Sequence, residues 1–195
     1  LYQNIASATK LREMNRNNEN INDFIPYKLE DINCDIPYDI SNLDSAIISK
    51  LRLMTAEDLQ NISEVTEGIE NRILSSANMS YSFETLVENV KNKRYTTSKI
   101  RRMIISALIG FTKDIYSPMP QYIRILGMNK VGMTILKQAK DICKVPIITK
   151  TADFKEQSPQ FNLDVRATNI AMLCNPIPTH RIGNADLENA PIIMK

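Results

Sequence analysis

Six cations fall within twelve residues of this sequence. Lys91, Lys93, Arg94, Lys99, Arg101 and Arg102 occupy the stretch KNKRYTTSKIRR, residues 91–102, which holds no carboxylate. The whole chain has 24 Lys and Arg against 22 Asp and Glu, a net charge of +2, so the stretch is a local concentration of charge. Ile100, Met103, Ile104, Ala107, Leu108 and Phe111 follow at the spacing of one helix face. Thr96, Thr97 and Ser98 are candidate N-caps. Lys99, Arg101 and Arg102 would then sit in the first turn, at the positive pole of the helix dipole. Each cation misplaced there costs about 0.3–1 kcal/mol at an exposed site. A bound anion reverses the sign, because free N–H groups, dipole and side chains then act together. The pattern points to phosphate binding, with nucleic acid as the first candidate; the plainer alternative is a solvated charged turn.

A second set of phosphate-type groups opens the chain. Ser7 can cap a short helix whose beginning carries Thr9, Lys10 and Arg12, and hydroxyls beside arginine at a helix start suit phosphate. An ordinary capped helix is the competing reading. Other chemistries are excluded. The single histidine, His180, lies in a Pro-rich tail and allows neither a Ser-His-Asp triad nor a two-histidine metal site. Cys34, Cys143 and Cys174 are odd in number and far apart, which fits a reducing, cytoplasmic setting without redox or metal spacing. Gly127 and Gly132 have phosphate-loop spacing with Thr134 in the hydroxyl place, but Met133 replaces the lysine, so the segment reads as a strand-to-helix turn. Glu57, Asp58, Glu67 and Glu70 read as solvated or capping carboxylates.

The elements that position these groups are mostly helical. The 195 residues, 43% hydrophobic, can bury a core and contain no run long enough for a membrane span. Short helices are expected near residues 7–14 and 20–25, the second stopped by Pro26. A loop follows, and from Leu43 helical periodicity resumes in pieces reaching about Thr112. These include a helix from Glu67 to Leu74 that contains Gly68, and another from Phe83 to Val90. After Pro120, a strand at 122–126, a helix holding Ile135, Leu136, Ala139 and Ile142, and a strand at 145–149 predict a small parallel βαβ unit. A helix from Asp164 to Cys174 and an extended tail, anchored by Ile192 and Ile193, complete the chain. The chain opens without an initiator Met, which leads us to expect sequence upstream.

Five blocks in order carry a resemblance: Ser7-Ala8-Thr9-x-Leu11-Arg12; Glu67-Gly68-Ile69-Glu70-Asn71-Arg72; Lys93-Arg94-Tyr95-Thr96-x-Ser98-x-Ile100-Arg101-Arg102; Tyr122-Ile123-Arg124-Ile125-Leu126-Gly127; and Pro146-Ile147-Ile148-Thr149-Lys150. Together they resemble the C-terminal half of the tRNA(Met) cytidine acetate ligase family, proteins of the HIGH-type nucleotidyltransferase-like group. The resemblance implies a mainly α architecture: a multi-helix domain with a small parallel βαβ unit near the C-terminus, preceded by the end of a truncated Rossmann-like nucleotidyltransferase domain. It implies this division: 1–26, tail end of that domain; 27–41, linker; 42–116, helical RNA-binding region; 117–175, α/β unit and closing helix; 176–195, extended tail.

The family's reaction activates acetate with ATP as acetyl-adenylate and transfers acetyl to N4 of the wobble cytidine of elongator tRNA(Met). ATP is the implied cofactor, bound mainly by the missing domain, with Mg2+ a possible companion. Ser7, Thr9 and Arg12 carry over as triphosphate contacts. tRNA is the implied partner, for which Lys91, Lys93, Arg94, Ser98, Lys99, Arg101 and Arg102 are the phosphate-contact candidates, with Tyr95 to stack on a base and Arg124 a more distant candidate. No HIGH-like motif occurs in these residues, so the fragment alone is expected neither to form adenylate nor to acetylate RNA. Two other readings stand beside this one: a related enzyme acting on a small metabolite, with the basic helix serving ATP, and a non-catalytic helical interaction module.

Overall fold

The computed structural model describes residues 5–17, 19–25, 38–66, 68–116, 119–154, 158–188 and 190–194. The body is a cluster of helices: α2 (Asp44–Arg52), α3 (Ala56–Gln60), α4 (Glu70–Met79), α5 (Phe83–Val90) and α6 (Thr97–Ile109). α1 (Ala8–Arg16) precedes them, as do single 3-10 turns at Asn22–Phe24 and Ile40–Leu43. Ile47, Leu51, Leu59, Ile73, Leu86, Val90, Ile100 and Met103 are fully buried in one core, and Cys174 closes it from the far end of the chain. Truncating a residue such as Leu86 to Ala would cost about 2–5 kcal/mol.

The helix ends follow from local chemistry. Ser82 Oγ accepts from the Thr85 N–H while Thr85 answers to the Ser82 N–H, a reciprocal cap that starts α5. Asp44 Oδ1 accepts from the Phe83 N–H at 2.8 Å, so α2 caps α5 as well. Arg52 bonds to the carbonyls of Ala77 and Ser80, at 3.1 and 3.2 Å, at the end of α4. Gly110, at φ +72°, ends α6 in the left-handed region that glycine tolerates best.

Beyond α6 the chain forms the expected parallel unit, smaller than read. β1 (Ile123–Arg124) pairs in parallel with β3 (Ile147–Ile148) across α7 (Lys130–Ile142). The sequence reading missed a second parallel pair, β2 (Gly127–Met128) with β4 (Ile192–Ile193). α8 (Pro159–Met172) packs against α6 and the short α9 (Ala185–Glu188), and α9 against a 3-10 turn at Thr151–Asp153.

Several expectations need correction. The tail is not simply extended, since it holds a 3-10 turn at Pro178–His180, α9 and β4. Ile192 and Ile193 anchor it through their backbones, and both side chains are exposed. Gly68 lies before α4 rather than inside a helix. Its φ of +89° explains the glycine, because a Cβ there would meet open space. α8 begins five residues earlier than expected: Ser158 caps it and Pro159 occupies its first position. The helix expected at 20–25 is one 3-10 turn, and no strand of a Rossmann-like domain occurs among described residues 5–25. Most of the expected linker, 27–37, lies outside the described residues, as does Glu67.

Candidate nucleic-acid interface

The basic stretch is a rigid turn between α5 and α6. Arg72 of α4 donates to the carbonyls of Val90 at 2.8 Å, Asn89 at 3.0 Å and Lys91 at 2.8 Å. A guanidinium thus closes the negative end of α5 and fixes where the basic segment departs. Asn92 Oδ1 then accepts from the N–H groups of Arg94 and Tyr95, at 2.8 and 3.0 Å, and turns the chain. Thr96, among the three candidate caps, is the one that starts α6, accepting from the Lys99 N–H.

This cap position corrects the expected crowding. Lys99 alone lies in the first turn; Arg101 and Arg102 fall in the second, where the dipole effect has decayed. Carboxylates from other elements also reach the stretch. Glu84 of α5 pairs with Arg101 at 2.5 Å, Glu64 with Arg102 at 3.7 Å, and Glu88 with Lys91 at 3.5 Å. Lys93, Arg94 and Lys99 have no carboxylate within ion-pair distance among the described residues. Two of these three collect at Tyr95: the Arg94 and Lys99 cations lie 5.3 and 5.4 Å from its ring centre. The Tyr95 hydroxyl shares a 2.7 Å hydrogen bond with Thr66, so the half-buried ring is a fixed platform with two cations on it. Ser98 is exposed at the same turn.

Ser7, Thr9 and Arg12 lie in or beside α1, and all three are exposed. Ser7 Oγ is engaged as the cap of α1, accepting from the Lys10 N–H at 3.2 Å. Thr9 and Arg12 line a cleft of about 690 Å³ that is also lined by Ser82, Phe83, Glu84 and Arg101. The fold therefore brings Thr9 and Arg12 of the opening block and Arg101 of the basic stretch, some ninety residues apart in sequence, to one cavity, which Ser7 does not line. Arg16 adds a third guanidinium, while Glu13, Asp39, Asp44 and Glu84 bring four carboxylates. Two of these are occupied by backbone: Asp44 by the Phe83 N–H and Asp39 by the Ser41 N–H at 3.0 Å. The Ser41 N–H holds the Asp39 carboxyl below its usual range against the opposing effect of burial, and the Arg16 charge assists. The donor set suits a phosphate group if Arg101 exchanges Glu84 for it.

Arg124 stands apart from this cluster. It forms a half-buried 2.9 Å ion pair with Asp186, which holds the guanidinium even more firmly protonated. Burial alone would raise the Asp186 carboxyl; hydrogen bonds from Arg124 and Thr168 outweigh it and leave the carboxyl lowered. The neighbouring Tyr122 hydroxyl donates to Asp164, and burial together with that bond pushes Tyr122 far above the usual phenol range. Among the described residues no group of His, Cys, Asp and Glu could hold a metal ion, and no helix is long and apolar enough to cross a membrane.

A helical body with a small parallel appendage and a built basic turn defines a class, and comparison gives it a family. Residues 1–186 match the family model described as HIGH Nucleotidyl Transferase, and the chain belongs to that family. Similar relatives are tRNA(Met) cytidine acetate ligases. The one from Thermosipho africanus is 32% identical over 97% of this chain and 52% of its own length. The one from Clostridium botulinum strain Loch Maree is 30% identical over 100% of this chain and 49% of its own. In structure, Thermotoga maritima TmcAL bound with alpha-thio ATP matches with a TM-score of 0.85 and 28% identity, over 100% of this chain and 53% of that one. The chain thus spans about half the length of these relatives.

Proposed function

We propose that this chain is the tRNA-gripping part of an ATP-dependent ligase that acetylates N4 of the wobble cytidine of elongator tRNA(Met) through an acetyl-adenylate. The observation that carries this reading is the basic turn: three cations without carboxylate partners among the described residues, on a segment clamped by Arg72. Lys91, Lys93, Arg94, Ser98, Lys99, Arg101 and Arg102 are assigned to the tRNA backbone, and Tyr95 to holding two of these cations in place. Residues 42–116 are the RNA-binding region, and 117–175 the α/β unit that braces it. Ser7, Thr9 and Arg12 are assigned to the ATP phosphates. The adenylate-forming step is assigned to no residue of this chain, whose single histidine cannot supply a HIGH-type motif.

The test is binding of elongator tRNA(Met) across a salt series. Three to six neutralised phosphates give a log–log slope of about −2 to −4. Changing Arg94 and Lys99 together to Ala should weaken binding to every RNA and flatten the slope by about 1.4. Binding that ignores both salt and these substitutions overturns the reading.

The cleft that joins Arg12 to Arg101 favours a second reading, in which the basic helix serves ATP and the substrate is a small metabolite. Isotope-labelled acetate, supplied with ATP and tRNA to a protein that carries this chain at the full length of its relatives, separates the two. Label in tRNA supports the first; label only in a small product supports the second.

A further inference from the structure

The far end of α6 carries a second cleft that the phosphate grip does not use. Its volume is about 630 Å³, and its walls include the rings of Phe111, Tyr116 and Tyr122, with Gln160, Asp164 and Arg124 as polar groups. Tyr116 is 63% exposed, and its ring lies tilted against that of Phe111, with centroids 6.5 Å apart. Tyr122 is held from behind by Phe154 and Phe161, at 6.1 and 5.6 Å between centroids.

The polar groups are partly spoken for, and what remains defines the ligand. Tyr122 donates to Asp164 Oδ2, which leaves Oδ1 of this exposed carboxylate as an acceptor. Gln160 Oε1 accepts from the Gln121 N–H at 3.0 Å, which leaves its amide N–H groups as donors. Arg124 gives one nitrogen to Asp186 and keeps others for the cleft. An aromatic wall with an adjacent acceptor and donors matches a flat heterocycle that bears an amino group next to a carbonyl or ring nitrogen. The cleft is also fixed in place. Arg166 of α8 donates to the Ile109 carbonyl at 3.1 Å, and a Cβ on Gly110 would come within 2.8 Å of that guanidinium.

Thirteen residues of α6 separate the basic turn from this cleft, a distance of about 20 Å. An RNA strand held by its phosphates at one end of the helix can therefore present an unpaired base a few nucleotides away at the other. We propose that this cleft is a nucleobase subsite, taking an unstacked, amino-bearing base of the bound RNA against Tyr116, with Asp164 accepting from the amino group. The proposal rests on the tRNA-binding reading and deepens it.

The test uses the full chain with fluorescein-labelled oligo(rC), oligo(rA) and oligo(rU) of equal length, in a salt series. Wild type should bind oligo(rC) and oligo(rA) several-fold tighter than oligo(rU), which has no amino group. Tyr116→Ala should weaken the two tighter complexes at least fivefold and leave the salt slope unchanged, because stacking is lost and no phosphate contact is. Asp164→Asn should remove most of the preference over oligo(rU), since the amide that replaces the acceptor can present a donor to carbonyls. Salt-dependent binding that neither substitution alters overturns the subsite and leaves the phosphate grip standing. Absent or salt-independent binding by wild type overturns the tRNA reading itself. Tyr116-dependent protection by free ATP, with oligonucleotide binding unaffected, also overturns the subsite, since it assigns the cleft to a free nucleotide.

Discussion

Replacing Glu84 with Gln should strengthen RNA binding, although it removes a hydrogen-bonded ion pair. Glu84 lies 2.5 Å from Arg101, and the two side chains are 61% and 40% exposed. At that exposure the pair contributes about 0.2–1 kcal/mol, much of it screened by salt. An RNA phosphate that recruits Arg101 must first displace Glu84, so removing the competitor should raise affinity about 1.5- to 5-fold. The face also gains one unit of net positive charge. One more neutralised phosphate releases more counterion and should steepen the log–log salt slope by about 0.7. Adding Glu64→Gln, which frees Arg102 from its 3.7 Å partner, should double that increment. The assay is fluorescence anisotropy of labelled tRNA between 50 and 300 mM KCl. A melting curve serves as control, because Glu84 also lies in the first turn of α5 and its loss costs about 0.3–1 kcal/mol there. Unchanged affinity and slope in a variant that melts near the wild-type temperature would show that Arg101 faces no RNA.

Two further outcomes follow from single side chains. Arg72→Ala should lower stability by about 1–2 kcal/mol, a melting shift of about 2–8 °C for a chain of this size, because three carbonyls at the end of α5 lose a charged donor. Affinity for tRNA should fall while the salt slope holds; a slope flattened by about 0.7 would make Arg72 a phosphate ligand instead. Asp186→Asn should cost on the order of 2 kcal/mol at neutral pH, less than a fully buried pair because Arg124 keeps partial access to water. The folded Asp186 carboxyl is lowered from its ordinary 3.8, so its contribution is complete above that value and is lost as pH falls through the folded one. Melting curves from pH 7 to pH 2.5 should therefore show the gap between wild type and variant closing only at the acid end; a gap constant over that range would refute the linkage.

What the sequence disclosed was whatever is encoded within about a dozen residues. The bounds of α5 follow from Ser82 and the apolar positions 83, 86, 87 and 90, and the start of α6 from Thr96, because caps and periodicity are local signals. The parallel β1–α7–β3 unit was legible for the same reason. The β2–β4 pair was not: two residues at each site, sixty-odd positions apart, carry no periodicity. Gly68 misled because a glycine inside an apparently helical run looks like a tolerated cost, while its positive φ is visible only in three dimensions.

The same boundary between local and distant encoding decides how the candidate site should be understood. Charge counting within residues 91–102 found the cations but treated them as equivalent. The fold sorts them into two groups. Lys91, Arg101 and Arg102 are tempered by Glu88, Glu84 and Glu64, while Lys93, Arg94 and Lys99 pair with no carboxylate among the described residues. Of the tempering carboxylates, Glu84 lies in the reciprocally capped first turn of α5 that also walls the cleft shared with Arg12. On the proposed function, Arg101 would be sought by two anionic guests, RNA and the ATP phosphates, with Glu84 holding it until either arrives. If phosphate from the opening block's side of the cleft takes Arg101, Glu84 is released on the RNA side as well, and the two ligands compete for one guanidinium. A surface that merely needed positive charge would have no use for that arrangement. Arg101→Lys separates the cases: a point charge should preserve most nonspecific RNA affinity, whereas a guanidinium that each competing phosphate must engage in fork geometry should not be replaceable.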